Sequence, residues 1–195
     1  MKNRFASSTY VGPEAAASKT LERAGKPFLA SGRAIDVEAI ARQFCNVELM
    51  FIPDLNPSGK TLLGLYTPTL NAIMVNSDNI EVRQRFTIAH EIGHVQLDHS
   101  HGAGPALFAF EAVEESETFE CTPEFENLTG ADERMAGLRK RKEIRANKFA
   151  AHLLMPEGLV REVWREENQN LERTANALLV SKQSLGFRLR DLHLQ

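Results

Sequence analysis

Cysteine is scarce in this chain of 195 residues: Cys45 and Cys121 are the only two, far apart and without CxxC spacing. A disulfide framework would need more of them, so a reducing compartment is expected. Long hydrophobic runs are missing as well. Nowhere do about 18 apolar residues follow one another, and the opening MKNRFASSTYVGPEAAASKT has no apolar core of signal-peptide length. Neither secretion nor membrane anchoring is expected, and the expected location is cytoplasmic. An excess of positive charge is also absent, the formal net charge being -3 at pH 7. Without an overall basic field, nucleic acid is not the expected main partner.

What is present is a globular composition, 43% hydrophobic and 25% charged, in a length that suits one domain with a small appendage and can bury a sizeable core. Residues 1–12 lack periodicity and are expected to be flexible. Pro13, then EAAASKTLERA, then Gly25 carries a Pro-in, Gly-out helix signature. A second helix is expected from Asp36 to about Cys45, with Val37, Ile40, Ala41 and Phe44 on one stripe. VELMFIP, TLLGLY and NAIMVN are rich in strand formers and predict a small antiparallel or mixed sheet. Asp78 with Glu81 fits a capping box opening a long, proline-free helix through VRQRFTIAHEIGHVQLDH. The pattern then dissolves over 100–136, an insertion-like stretch carrying seven glutamates between Glu111 and Glu126. A further helix through GLRKRKEIRANKFAAHLLM must stop or bend at Pro156. Residues 157–195 predict short helices marked by Val160, Val163 and Trp164, then Leu171 to Leu178, then Leu185, Leu189 and Leu192. The fold class is α+β: one domain over 13–156 with a C-terminal helical appendage.

His90-Glu91-Ile92-Gly93-His94 carries the chemistry. On a helix, two histidines four residues apart project from one face a turn apart and can grip one ion. Glu91 projects beside them, where it can take a proton from water whose pKa a zinc ion lowers toward ~7. A bare HExxH also arises by accident, as a helix with two partly exposed histidines. Here the surrounding helix is apolar, and burying uncompensated imidazoles would be costly. Gly93 costs a helix roughly 0.5–1 kcal/mol relative to alanine, which suggests that a neighbouring backbone passes close.

A catalytic zinc needs a third protein ligand. The metzincin pattern would require Gly at 97 and His at 100, where this chain has Leu97 and Ser100. A glutamate from a later helix is the other solution. Glu143 opens EIRANKFAAHLLMP; Asn147, a turn later, can hydrogen-bond a ligating imidazole, while Ala146, Ala150 and Ala151 allow close approach. Spacing alone leaves a second reading open, in which Glu143 is a solvated acid among Arg139, Lys140, Arg141, Lys142 and Arg145.

RFTIAHEIGHVQLDH and EIRANKFAAHLLMP together closely resemble the ImmA/IrrE family of metallo-endopeptidases, and the DVEAIARQF helix and the NAIMVN strand are similar to it as well. The resemblance implies a zincin-like fold with Glu143 as third ligand beside His90 and His94. It also implies zinc as the ion, with manganese as the alternative, and cytosolic proteolysis of a helix-turn-helix repressor. The gap from His94 to Glu143 is longer than that family leads one to expect. The reading from another class is a transcription-regulatory DNA- or protein-binding module with a structural metal site.

Other residues carry weaker readings. His99 and His101 lie past the expected end of the motif helix, and His152 falls on roughly the opposite face from Glu143; none is assigned as a ligand. Tyr66 is a candidate for stabilising an oxyanion, beside the favoured reading that it simply packs. Cys121 as an inhibitory metal cap is the less favoured reading beside a plain exposed thiol. LERTANALLVSKQSLGFRLRDLHL resembles a helix-turn-helix with Ser181 as N-cap and Lys182, Gln183 and Arg188 as contacts, but direct DNA binding is not expected at its modest charge. NAIMVN is expected to offer a free sheet edge to an extended substrate. The acidic segment from Glu111 to Glu126 is expected to border the cleft and favour basic or neutral flanks.

Overall fold

The computed structural model describes residues 11–25, 29–30, 33–55, 62–98, 108–111 and 130–195. Helix α1 (Pro13–Ala24) starts on proline and ends where Gly25 turns to φ 80, as the Pro-in, Gly-out signature requires. A two-residue pair, β1 (Leu29–Ala30) and β2 (Ala34–Ile35), leads to α2 (Val37–Ala39). The side chain of Asp36 caps α2 by accepting from the Ala39 amide at 2.9 Å. The helix then widens into a π turn over Ile40–Phe44, keeping Val37, Ile40 and Ala41 buried.

The three expected strands form as β3 (Glu48–Ile52), β4 (Leu62–Thr67) and β5 (Ala72–Asn76), joined by β6 (Phe108–Glu111) in a four-stranded sheet of order β3-β5-β4-β6. The sheet is mixed: β3 runs parallel to β5, while β4 is antiparallel to both β5 and β6. This order corrects one expectation. NAIMVN is β5, hydrogen-bonded on both sides, so it has no free edge for a substrate strand. Among the described strands the edges belong to β3 and β6.

Helix α3 (Glu81–Asp98) lies against the sheet and α4 (Gly130–Leu154) crosses α3. The capping box expected for α3 is not made. Asp78 instead accepts from the Asp54 amide at 2.8 Å, and Gln84 reaches back to the Ser77 and Asn79 carbonyls. Strand β6 and the first turns of α4 fall inside the stretch expected to lack pattern, so regular structure interrupts it at both places. Most of the acidic segment, including Cys121, lies outside the described residues, as do His99, His101 and residues 1–10.

Pro156 ends α4 and opens α5 (Glu157–Glu166), which is followed by α6 (Leu171–Leu178) and α7 (Lys182–Asp191). Ser181 caps α7 as expected, accepting from the Ser184 amide at 3.0 Å. These helices share the main core: Val160, Trp164, Leu178, Leu185 and Leu189 belong to one buried cluster with Ile73, Ile88, Ile92 and Phe149. Arg85 of α3 ties the parts together, donating to the Ile35 carbonyl at 2.6 Å and to the Leu179 carbonyl at 3.2 Å. Arg188, a candidate DNA contact in the sequence, is buried and donates to the Met155 carbonyl at 3.0 Å. A guanidinium spent on closing the α4 terminus cannot also reach a base or phosphate. Lys182 and Gln183 are exposed. Among the described residues no helix is long and apolar enough to cross a membrane.

Candidate metal centre

The site forms where α3 and α4 cross, and glycine and alanine allow that crossing. A Cβ on Gly93 would sit 3.2 Å from the Ala146 Cα, 3.2 Å from the Phe149 ring and 3.3 Å from the Ala146 carbonyl oxygen. Two of those neighbours are backbone and cannot yield unless α4 moves. Gly93→Ala is therefore expected to destabilise the fold by about 1–3 kcal/mol, as overpacking does, and to weaken metal binding with it. Thermal unfolding and metal titration of the variant check both.

At this crossing His90, His94 and Glu143 converge, with one ligating atom from each lying within 4.8 Å of the others. His90 Nε2 is 3.0 Å from His94 Nε2 and 3.1 Å from Glu143 Oε2, and His94 Nε2 is 3.3 Å from Glu143 Oε1. The two imidazoles are fully buried, while the Glu143 side chain is 37% exposed and forms the open side. Helix geometry explains the histidine pair: a separation of four residues sets the rings edge to face, 4.7 Å between centroids.

The donor set fits a divalent ion. His90 Nδ1 lies 2.8 Å from Asn147 Oδ1. When Nδ1 donates to that oxygen, Nε2 is left with only a lone pair. That lone pair faces a second imidazole nitrogen and a carboxylate oxygen at about hydrogen-bond distance, an arrangement that repels unless a proton or a cation lies among them. Ligands about 2.0–2.2 Å from a tetrahedral zinc stand about 3.3–3.6 Å apart, a few tenths of an ångström beyond the 3.0, 3.1 and 3.3 Å here. Burial lowers the His90 pKa, against the neighbouring Glu143 carboxylate that raises it, so the ring is held in the neutral form a ligand needs. Burial pushes the Glu143 carboxyl up, but its contacts with His90 and His94 outweigh this and bring the group to about 2.

Glu91 is fully buried beside this trio. Burial, with the Glu143 charge adding to it, pushes its carboxyl up to about 8. The Tyr66 amide approaches it, yet neither carboxylate oxygen closes a hydrogen bond of ordinary geometry among the described residues. A carboxyl shut off from bulk water, with no ordinary hydrogen bond to the described residues, next to three convergent donors is placed to exchange a proton.

The matched residues settle the family. Residues 46–190 match the family model Peptidase_M78, described as the IrrE N-terminal-like domain. The chain belongs to that family. No curated protein matches the chain. The Peptidase_M78 match runs from before β3 into α7, so the C-terminal helices lie within it and continue the core that carries the site.

Other residues resolve differently. The Tyr66 hydroxyl donates to Asn71 Oδ1 at 3.0 Å, and Asn71 in turn holds the Asn46 carbonyl at 2.6 Å. Tyr66 therefore pins the β4–β5 turn, and the packing reading stands over the oxyanion one. His152 lies away from the trio, 3.4 Å from Glu14 and 3.5 Å from Arg188. The sequence reading passed over Thr87, a fully buried hydroxyl one turn before Glu91. Its signal was available: a polar residue on the Glu91 face of an apolar helix.

Proposed function

We propose that this chain is a zinc-type metallo-endopeptidase that cuts a helix-turn-helix transcriptional repressor in the cytoplasm, with His90, His94 and Glu143 as metal ligands and Glu91 as the catalytic base. The observation that carries the reading is the convergence of His90, His94 and Glu143 beside a buried, unbonded Glu91 in a peptidase family member. A bound zinc or manganese ion would supply Lewis-acid polarisation of water and of the peptide carbonyl.

The chain's own residues divide the remaining work. Glu91 holds the proton removed from water on its carboxylate and returns it to the leaving amine, the task for which a pKa raised toward neutrality suits a carboxyl. Asn147 fixes the rotation of the His90 ring through Nδ1. The buried walls from α3 and β4 keep bulk water from competing for the proton. Replacing Asn147 with Ala is expected to weaken metal binding about ten- to a hundredfold, measured by competition with a chromogenic chelator. The repressor follows from the family resemblance, and the deciding experiment incubates the metal-loaded protein with candidate repressors of that class. Cleavage at one interdomain bond, absent with Glu91→Gln, supports the proposal. An intact repressor with every candidate overturns the substrate assignment.

The second reading, a binding module with a structural metal, predicts that Glu91→Gln leaves function unchanged. The buried carboxyl favours the enzyme, because a structural site gains nothing from an unbonded acid at its side.

A further inference from the structure

Thr87 and Glu91 stand one helical turn apart on the face of α3 that lies under β4. Both are fully buried, and the Thr87 hydroxyl and both Glu91 oxygens have no partner among the described residues. A helical threonine ordinarily bonds back to the carbonyl four residues before it; Thr87 does not. Gly64 of β4 shows why its side chain is fixed. A Cβ at Gly64 would run into the Thr87 methyl and approach the Met74 carbonyl oxygen to 2.7 Å. The strand thus passes at backbone distance and wedges the methyl. A β-branched side chain with its methyl held has no freedom left at χ1, so the hydroxyl direction is set as well. Side chains four apart on a helix have their Cβ atoms about 5–6 Å from each other. One water making two hydrogen bonds of about 2.8 Å at its tetrahedral angle joins oxygens about 4.6 Å apart, a separation that a hydroxyl and a carboxylate borne on such neighbouring Cβ atoms can present. Buried waters occur where polar groups otherwise lack partners.

We infer that Thr87 is a positioning residue for Glu91, its hydroxyl joined to the Glu91 carboxylate through one buried water between α3 and β4. The inference rests on the reading of Glu91 as the base. The bridge orients one carboxylate oxygen away from the metal centre and leaves the other aimed at it.

The test is a sign. Thr87→Val keeps the shape and removes the hydroxyl, and thermal unfolding of the metal-free full chain is measured in the wild-type and Glu91→Leu backgrounds. A hydroxyl with no partner costs stability, so its removal would raise Tm in both. With the bridge, Thr87→Val lowers Tm by about 2–4 °C in the wild type, and the loss disappears once Glu91 is Leu. A rise in the wild type, or an equal fall in both backgrounds, overturns the inference; should Glu91→Leu not fold, the wild-type sign decides. On a cleaved substrate, Thr87→Val is expected to lower kcat about tenfold with KM and metal content unchanged, and Thr87→Ser to restore it. An unchanged kcat also overturns it. If the wild type cleaves nothing, the peptidase reading fails while the Tm comparison still decides the Thr87–Glu91 link.

Discussion

Glu91→Gln is expected to lower the rate of cleavage at least about a hundred- to ten-thousandfold, the contribution of a positioned general base, while the protein keeps its metal. The amide has the same shape and can enter the same space, but it cannot accept the proton. The substitution has a second, opposite effect on stability. In the metal-free protein the Glu91 carboxyl is raised from 4.5 to about 8 by burial, so the folded state holds a proton that the unfolded state releases. Its stabilising contribution is complete below pH 4.5 and is lost as pH rises through about 8. Glu143 has the opposite sign. Lowered to about 2, it contributes fully above pH 4.5, and that contribution is lost as pH falls toward about 2. Relative to the Gln variant, the metal-free wild type should therefore lose stability between pH 4.5 and about 8. Tm measured across this range, beside elemental analysis and a cleavage assay, gives all three readings. Retained cleavage would remove Glu91 from the mechanism.

Removing a ligand has the other large effect. His94→Ala or Glu143→Ala should abolish stoichiometric metal binding at concentrations that saturate the wild type, because two donors do not hold a zinc ion as three do. His152→Ala should bind normally. Metal present at about a hundredfold over its Kd adds about 2.7 kcal/mol, which in a domain of this size raises Tm by about 5–10 °C. Neither ligand variant should show that rise. Acid should remove it from the wild type, since below about pH 6.5 protons compete for the histidines. A Glu143→Ala protein with the full shift would return Glu143 to the solvated acid among basic neighbours that its spacing also allowed.

Much of this site was legible in the chain because its determinants are local. The i, i+4 histidines with a glutamate between them share a helix, and helical geometry alone sets where they project. Gly93 and Ala146 marked a close approach, since small side chains at a crossing have one common cause, and the structure places them against each other. Helix ends at Gly25 and Pro156 and the Ser181 cap were equally local. The paired motifs led by resemblance to Glu143, which no spacing rule could choose over a solvated acid.

Tertiary structure decided what depends on pairing between distant segments. Strand order is one case: NAIMVN has the composition of an edge or a central strand equally, and only β3 returning parallel beside it made β5 central. The fate of Arg188 and Tyr66 is another, because whether a polar side chain faces solvent or closes a distant carbonyl is set by which elements pack around it. The sequence by itself determined the donor atoms and the faces of α3 and α4 that carry them. The crossing of those helices under β4 determined that the donors meet, that Glu91 is buried deeply enough to hold a proton near neutral pH, and that Thr87 is sealed in beside it. Burial is a property of the assembled layers, and no single segment encodes it.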